Sequence, residues 1–341
     1  GCRKNYENKK IIVNPVPSGS YSVSKTNICQ NDTVYFSPNV INTDYFTWKF
    51  GDGNISYIEW CNDTKLPGFQ FSHATGFNSL TYKKLLEPLS KEFHIRAIDA
   101  RGHGFTETEA IPENMYDWAI YRDDLIRSVE NFVEEKKEPI ILGGHSMGGA
   151  TIMQVAAARP DLVSGLVLIE PVLIPKLNLN LIKLGRKFPT SKVFPFIKFA
   201  LSRADSTLKR RREFPNKEMI KKSYKGRGAF TTWQDGFLDD YINGGTEKEG
   251  DYYTLTCHPE WEAATFSSWK HNAMEAIKEI RCPITLLQGE IGSTTSEQGV
   301  KLLKKQDPNG IFKVINNSSH FLPMEHPEII QDEILKIKNR V

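Results

Sequence analysis

Pro139-Ile140-Ile141-Leu142-Gly143-Gly144-His145-Ser146-Met147-Gly148-Gly149-Ala150-Thr151 decides the fold. An apolar run leads into a serine with glycines two residues to either side. Small and straight-chain residues then continue to Arg159, just ahead of Pro160. The pattern predicts a buried strand from Pro139 to Gly144, a sharp turn, and a helix from Met147 to Arg159. A serine on such a turn has its Oγ pushed out at the carboxyl edge of a sheet, and the flanking glycines let the backbone take the strained turn and pack closely. Gly-x-Ser-x-Gly alone arises by chance in roughly one chain in ten of this length, so the strand and helix around it carry the reading.

Outward from this turn, short apolar runs alternate with helical periods, the signature of a mainly parallel α/β sheet. Strands are predicted at Gly68 to Ser72, His94 to Asp99, Gly165 to Ile169, Pro283 to Gly289 and Ile311 to Ile315; helices at Ser79 to Lys91, Met115 to Lys136 and Pro327 to Arg340. Upstream, residues 45–50 and 55–60 flank Gly51-Asp52-Gly53-Asn54 and read as a hairpin. The same stretch resembles the W-x-F-G-D-G segment of PKD-type β-sandwich domains, but a hairpin accounts for it more simply. Between Pro171 and Lys270 the alternation stops. Helical pieces remain at Leu179 to Lys187, Phe194 to Ser202 and Lys217 to Lys222, and a connection this long predicts an inserted helical cap. Its Trp233, Phe237, Tyr241, Tyr252 and Tyr253 form either the cap's own core or a pocket wall. The expected organisation is a polar N-terminal extension over 1–43, a core of 44–170 and 271–341, and a cap over 171–270.

The chain has 341 residues, 39% hydrophobic and 25% charged, enough for one large domain with an insertion. The net charge of +3 is near balance, and the basic run Lys209-Arg210-Arg211-Arg212 reads as a solvated helix face. No phosphate loop or nucleic-acid module accompanies it, so nucleic acid is not expected as a partner. No apolar stretch approaches the roughly 20 residues of a transmembrane segment. Cys2, Cys29, Cys61, Cys257 and Cys282 lack metal-ligand or disulfide spacing, so reduced thiols and no metal or cofactor are expected. The favoured compartment is cytoplasmic. Gly1-Cys2 ahead of a polar tether also resembles the cut end of a bacterial lipoprotein precursor, giving the alternative of an exported envelope lipoprotein anchored through Cys2. The oligomeric state is not legible.

A serine hydroxyl needs a base to take its proton, an acid to orient that base, and donors for the oxyanion. His320, in Asn317-Ser318-Ser319-His320-Phe321-Leu322-Pro323, follows the last apolar strand and precedes the final helix, where a loop returns it to the edge that carries Ser146. Asp99 precedes the serine and reads as a turn residue.

Phe71-Ser72-His73-Ala74-Thr75-Gly76-Phe77, Asp99-Ala100-Arg101-Gly102-His103-Gly104, Gly144-His145-Ser146-Met147-Gly148 and Ser319-His320-Phe321, in this order, resemble the α/β-hydrolase superfamily from about Thr47 to the end. The resemblance implies a mainly parallel sheet flanked by helices, with a cap. It also implies an oxyanion hole from the N–H of Thr75, with Ala74 as the alternative, and of Met147 after the nucleophile. The family's usual acid is an Asp a few residues beyond the next-to-last strand, and Gly292 stands there in Gly289-Glu290-Ile291-Gly292-Ser293. Glu170 in Leu168-Ile169-Glu170-Pro171, where some relatives such as certain haloalkane dehalogenases keep their acid, is the preferred carboxylate and Glu290 the alternative. The implied activity is hydrolysis of an ester-type bond (carboxylester, lactone or thioester) of a small or medium apolar acyl substrate through an acyl-enzyme. The alternatives are a non-catalytic ligand-binding protein of the same fold, or a carbon–carbon bond hydrolase or acyltransferase using the same residues.

Overall fold

Apolar runs without polar alternation become strands buried on both faces, which requires helices above and below them. The computed structural model describes residues 55–187 and 203–341, apart from 62 and 64, and three short strands upstream: β1 (Ser20–Val23), β2 (Phe36–Asn39) and β3 (Phe46–Trp48). The strands β4 (Tyr57–Trp60), β5 (Gly68–Ser72), β6 (His94–Ile98), β7 (Ile140–His145) and β8 (Val163–Ile169) follow. Then come β9 (Glu213–Phe214), β10 (Thr246–Glu249), β11 (Tyr252–Leu255), β12 (Ile284–Gly289) and β13 (Ile311–Ile315). The central sheet runs β13-β12-β8-β7-β5-β6-β4-β3, parallel except at β4 and β3. β3 and β4 pair antiparallel as the hairpin pattern predicts, with Phe46 opposite Glu59 and Trp48 opposite Tyr57; the turn residues 51–54 lie outside the described residues. β1 and β2, inside the polar N-terminal stretch, form their own antiparallel pair.

The chain leaves β5 for β6 on one side and returns to β7 on the other, so the strand order reverses between β5 and β7. In open α/β sheets this switch point is where the carboxyl ends of strands leave a crevice. Both strands end there in the motifs singled out above. Two hydrophobic clusters cover the sheet's faces, one built on Phe69, Phe71, Tyr82 and Phe93, the other on Leu142, Met153, Val129 and Trp261.

Several predicted elements differ in form. Ser79 to Lys91 is not one helix but three short turns, Ser79–Tyr82, Lys83–Leu86 and Glu87–Lys91, and Pro88, which has no N–H, interrupts the ladder between the second and the third. The helix Glu297–Gln306, capped by Ser296 Oγ accepting from Gly299 N–H at 3.2 Å, was not anticipated. The segment 171–270 is not wholly helical. It contains Lys176–Lys187, Lys217–Tyr224 and Phe237–Gly244, and also the antiparallel sheet β10-β11-β9. These strands are two to four residues long and mostly polar outside, so no apolar run betrays them. The predicted helix Phe194 to Ser202 lies outside the described residues. At the segment's end, helix Pro259–Phe266 packs onto the main body, with Trp261 Nε1 donating to Arg101 O at 2.9 Å. The basic run is solvated only in part and lies beyond the end of a helix: Lys209 and Arg211 are exposed, whereas Arg210 turns inward to pair with Glu262 and Arg212 Nε donates to Thr254 Oγ1 at 3.1 Å. No described helix is long and apolar enough to cross a membrane.

The turn after β7 is fixed by backbone against backbone. A Cβ on Gly148 would stand 2.1 Å from Ser72 O and 2.7 Å from His73 O, and neither atom is free to move aside. Gly148→Ala should therefore lower the unfolding free energy in urea by about 2–3 kcal/mol through overpacking. Gly226→Ala, at φ +70° with nothing within 4 Å of the added atom, should cost only the strain of a left-handed residue, about 1 kcal/mol.

Candidate active site

Strand register assembles the site. His145 at the end of β7 pairs with Ile169 at the end of β8, so the next residues, Ser146 and Glu170, leave the sheet side by side. Ser146 N–H donates to Ile169 O at 3.0 Å, and Val172 N–H donates to Ser146 O at 3.2 Å. Both turn residues are left-handed, with φ 57° at Ser146 and 46° at Glu170. Such positions cost about 1–3 kcal/mol for a non-glycine residue and persist only where the surroundings enforce them. The result holds Ser146 Oγ at the amino end of helix Met147–Ala158.

His320 comes to the same edge on the loop after β13. Its Nε2 lies 3.0 Å from Ser146 Oγ and its Nδ1 3.2 Å from Glu170 Oε2. With Nδ1 donating to the carboxylate, Nε2 is left to accept from the serine hydroxyl. Glu170 is fully buried, its Oε1 accepting from Gly289 N–H at 2.7 Å and its Oε2 from Thr294 N–H at 2.9 Å. Burial alone would raise its pKa; the hydrogen bond from His320, that group's charge and the Thr294 N–H overcome it and hold the carboxyl below the usual range. Thr294 Oγ1 donates to Glu170 O at 2.9 Å and lies 3.3 Å from His320 Nδ1.

The other carboxylate candidate is not brought to the base. Glu290 is exposed, and its Oε2 accepts from Asn317 N–H at 2.8 Å on the far side of the His320 loop. Gly292, where an acid was sought, has φ +66° and open space around it. Asp99 pins its own turn: Oδ1 accepts from Ser79 N–H at 2.7 Å and Oδ2 from Phe105 N–H at 3.0 Å. Burial pushes its carboxyl up to about 6 against the pull of those two donors.

The loop after β5 has its amides almost fully committed. Ala74 N–H donates to Tyr82 Oη at 3.1 Å, Gly76 N–H to His103 Nε2 at 3.0 Å, and Phe77 N–H to Ala74 O at 3.1 Å. Ala74, the alternative oxyanion donor, is thus already engaged. Thr75 N–H has no hydrogen-bond partner among the described residues, and neither has Met147 N–H at the first position of its helix. Two buried histidines hold the loop from behind. His73 Nε2 accepts from Ala100 N–H at 2.9 Å while Nδ1 donates to Ala74 O at 2.7 Å, and His103 Nδ1 donates to Arg101 O at 2.9 Å. Burial, and for His73 also the neighbouring His103, lowers them to about 3 and about 4, so both are neutral struts at neutral pH.

Around this edge stands an aromatic wall. Phe77, directly after the loop, lies 5.3 Å from Trp233, 5.7 Å from Tyr241 and 6.2 Å from Phe321, centroid to centroid. Of the five cap aromatics considered from sequence, Trp233 and Tyr241 reach this wall; Phe237 is buried in the core, Tyr253 packs half-buried against that core, and Tyr252 is exposed. Sequence reasoning missed the braces of the base loop. Ser319 N–H and Oγ both donate to Glu325 at 2.7 Å, and the cap's Gln234 Nε2 donates to Glu325 O at 3.0 Å. Nothing local in the sequence marks Thr294 or Glu325 for these tasks.

Among the described residues one cluster has metal-like spacing: Glu59, His94 and Glu135 place ligand atoms within 4.8 Å of one another. Arg96 already pairs with both carboxylates, so this group carries its own cation, and it sits at the opposite, amino end of β6.

The sequence profile described as "Alpha/beta hydrolase family" matches residues 67–332. Monoglyceride lipase from Mus musculus is 32% identical, and that from Rattus norvegicus 27% identical, each over 79% of this chain and 80% of the relative. Among solved structures, E-2-(acetamidomethylene)succinate hydrolase superposes with TM-score 0.68 at 18% identity, covering 86% of this chain and 99% of its own. An esterase from M. tuberculosis superposes with TM-score 0.62 at 19% identity, covering 88% and 94%. At these identities the structural likeness speaks for the fold, while the profile match spans most of the sequence: the chain belongs to the alpha/beta hydrolase family.

Proposed function

We propose that this protein is a serine esterase that cleaves a carboxylester, lactone or thioester bond of a small or medium apolar substrate through an acyl-enzyme. The observation that carries the reading is the line from Ser146 Oγ to His320 Nε2 at 3.0 Å and from His320 Nδ1 to Glu170 Oε2 at 3.2 Å. Ser146 Oγ attacks the carbonyl carbon as His320 Nε2 takes its proton. The Thr75 and Met147 N–H groups receive the oxyanion, and Glu170 steadies the imidazolium. Collapse expels the alcohol or thiol with the proton from His320, and a water activated by the same base releases the acid. A serine nucleophile suits a carbonyl centre; the Asp needed for displacement at saturated carbon is absent from the turn.

The wall of Phe77, Trp233 and Phe321 beside the base supports an apolar acyl group. The monoglyceride lipases, matched over four-fifths of their length, favour a carboxylester of a polar alcohol within the proposed class.

A p-nitrophenyl ester series of increasing acyl length, read beside glycerol release from a monoacylglycerol, tests both levels. Ser146→Ala should lower kcat by at least about a thousandfold, and Glu170→Gln by about a hundredfold or more, with Glu290→Gln within about twofold of wild type. Turnover that survives Ser146→Ala would sink the serine mechanism, and a loss confined to Glu290→Gln would move the acid. Absence of turnover in the wild type on every ester would favour the ligand-binding alternative.

Glu170 also makes a stability prediction with a definite sign. Its folded-state pKa lies below the ordinary glutamate value of about 4.5, so its contribution is present above that pH and is lost as pH falls through the lower folded value. The difference in unfolding free energy between wild type and Glu170→Gln should therefore hold steady above about pH 4.5 and shrink as pH falls below it. A difference that stays constant or grows would contradict the ion pair with His320.

A further inference from the structure

The turn residue before the nucleophile, His145, has no role in the mechanism above, yet it is fully buried and both its ring nitrogens are engaged. Nδ1 lies 2.7 Å from Tyr82 Oη, and Nε2 lies 2.8 Å from the main-chain oxygen of His320. Tyr82 Oη in turn accepts the Ala74 N–H at 3.1 Å, and Tyr82 is also fully buried.

The ends of this chain fix its direction. An amide N–H can only donate and a carbonyl can only accept, so Ala74 N–H gives to Tyr82 Oη, Tyr82 O–H gives to His145 Nδ1, and His145 Nε2–H gives to His320 O. Only neutral His145 protonated on Nε2 fits, since an imidazolium would turn Nδ1 into a second donor facing the tyrosine hydrogen. Burial, with His320 beside it, holds His145 well below its ordinary pKa, in accord with that state. No group in the line is left over for solvent or for substrate.

We infer that Tyr82 and His145 are positioning residues: one hydrogen-bonded line through them sets the spacing of the oxyanion loop, the nucleophile turn and the base loop. Each of its outer ends lies next to a group that acts in the proposed reaction. Ala74 precedes Thr75, whose N–H is the free donor of its loop, and the carbonyl that His145 holds belongs to His320 itself. The middle of the line, His145, precedes Ser146. A rigid line of this kind acts where charge develops, because donors placed in advance need not reorganise during the reaction. Tyr82 and His145 are fully buried and present no surface to a ligand, so loss of the line should appear in kcat and leave KM nearly untouched. It carries no net proton and does not enter the chemistry.

This inference rests on the serine-esterase reading, and the two fail differently. Kinetics on p-nitrophenyl butyrate, normalised to sites titrated by a fluorophosphonate, are read together with inhibition by an alkyl trifluoromethyl ketone, whose Ser146 adduct bears the oxyanion. Tyr82→Phe should lower kcat by about tenfold and weaken the ketone by a similar factor, with KM within about twofold. His145→Leu should do the same. His145→Gln, whose amide supplies one acceptor and one donor, should stay within about threefold of wild type. If His145→Leu does not fold, Tyr82→Phe and His145→Gln still carry the comparison. Unchanged kcat per titrated site in Tyr82→Phe, even with a lowered melting temperature, would reduce the line to a structural role and overturn the inference. Damage in His145→Gln equal to that in His145→Leu would do so as well. Turnover that persists in Ser146→Ala would overturn the esterase reading, and the positioning role with it.

Discussion

The crossing of two backbones at the switch point constrains everything around the site. Helix Met147–Ala158 starts so close to the end of β5 that only hydrogen fits on Gly148 Cα against Ser72 O, and Gly144 is pressed in the same way against Gly148 and Gly149. Contact at this range cannot be adjusted by side-chain rotation. It fixes where Ser146 projects and where the loop after β5 begins, so the nucleophile and the proposed oxyanion donors share one rigid reference. The left-handed Ser146 backbone is the local cost of that arrangement, and neighbours packed to crystal-like density are what sustain it.

Glu170, the proposed acid, illustrates how a second constraint follows from the first. The loop after β12 bends through Gly292 into open space and offers His320 no carboxylate, while β8 lies directly beside β7 and its next residue leaves the sheet in register with the serine. Glutamate spans the gap because its side chain is one methylene longer than aspartate and its own left-handed φ turns it toward the base. Two amides hold its oxygens: Gly289 N–H donates to Oε1, and Thr294 N–H donates to Oε2, the oxygen that also faces His320. The backbone of the strand that does not supply the acid therefore helps to hold the acid in place.

What the sequence made legible was local in origin. A fully buried strand, a glycine-flanked turn and a helix of small residues declare themselves within about twenty positions, and alternating runs give the parallel sheet. The order of motifs pointed to Ser146 and His320 and left two glutamates in play, because choosing between them needs the pairing of β7 with β8, a contact between distant segments. The small sheet of β9, β10 and β11 stayed hidden because its strands are too short and too polar to leave a period-2 signal. Tyr82, Thr294 and Glu325 stayed hidden for another reason: each acts through hydrogen bonds whose partners are chosen by tertiary packing, and their neighbours in sequence look like ordinary helix and loop. The inward turn of Arg210 belongs with them, since only the position of Glu262 distinguishes it from a solvated basic run.

The proposed nucleophile and acid differ from the proposed base in how they are held, and the difference has a physical reason. Ser146 and Glu170 leave the ends of paired strands, so the ladder itself positions them. In the proposed reaction the base must lie within hydrogen-bond reach of both the oxygen that gives the proton and the carboxylate that orients the ring, and no strand end of the sheet points between the two. His320 accordingly sits on a loop, and the loop is braced at several points. Glu325 takes the Ser319 N–H and hydroxyl, Glu290 takes the Asn317 N–H, and Thr294 flanks the ring. Because Gln234 and Thr232 of the cap also bond to Glu325, the brace is shared with the segment that forms the aromatic wall. The aromatic wall and the loop that carries His320 therefore share one anchor, Glu325, so the cap and the His320 loop are held in register by the same side chain.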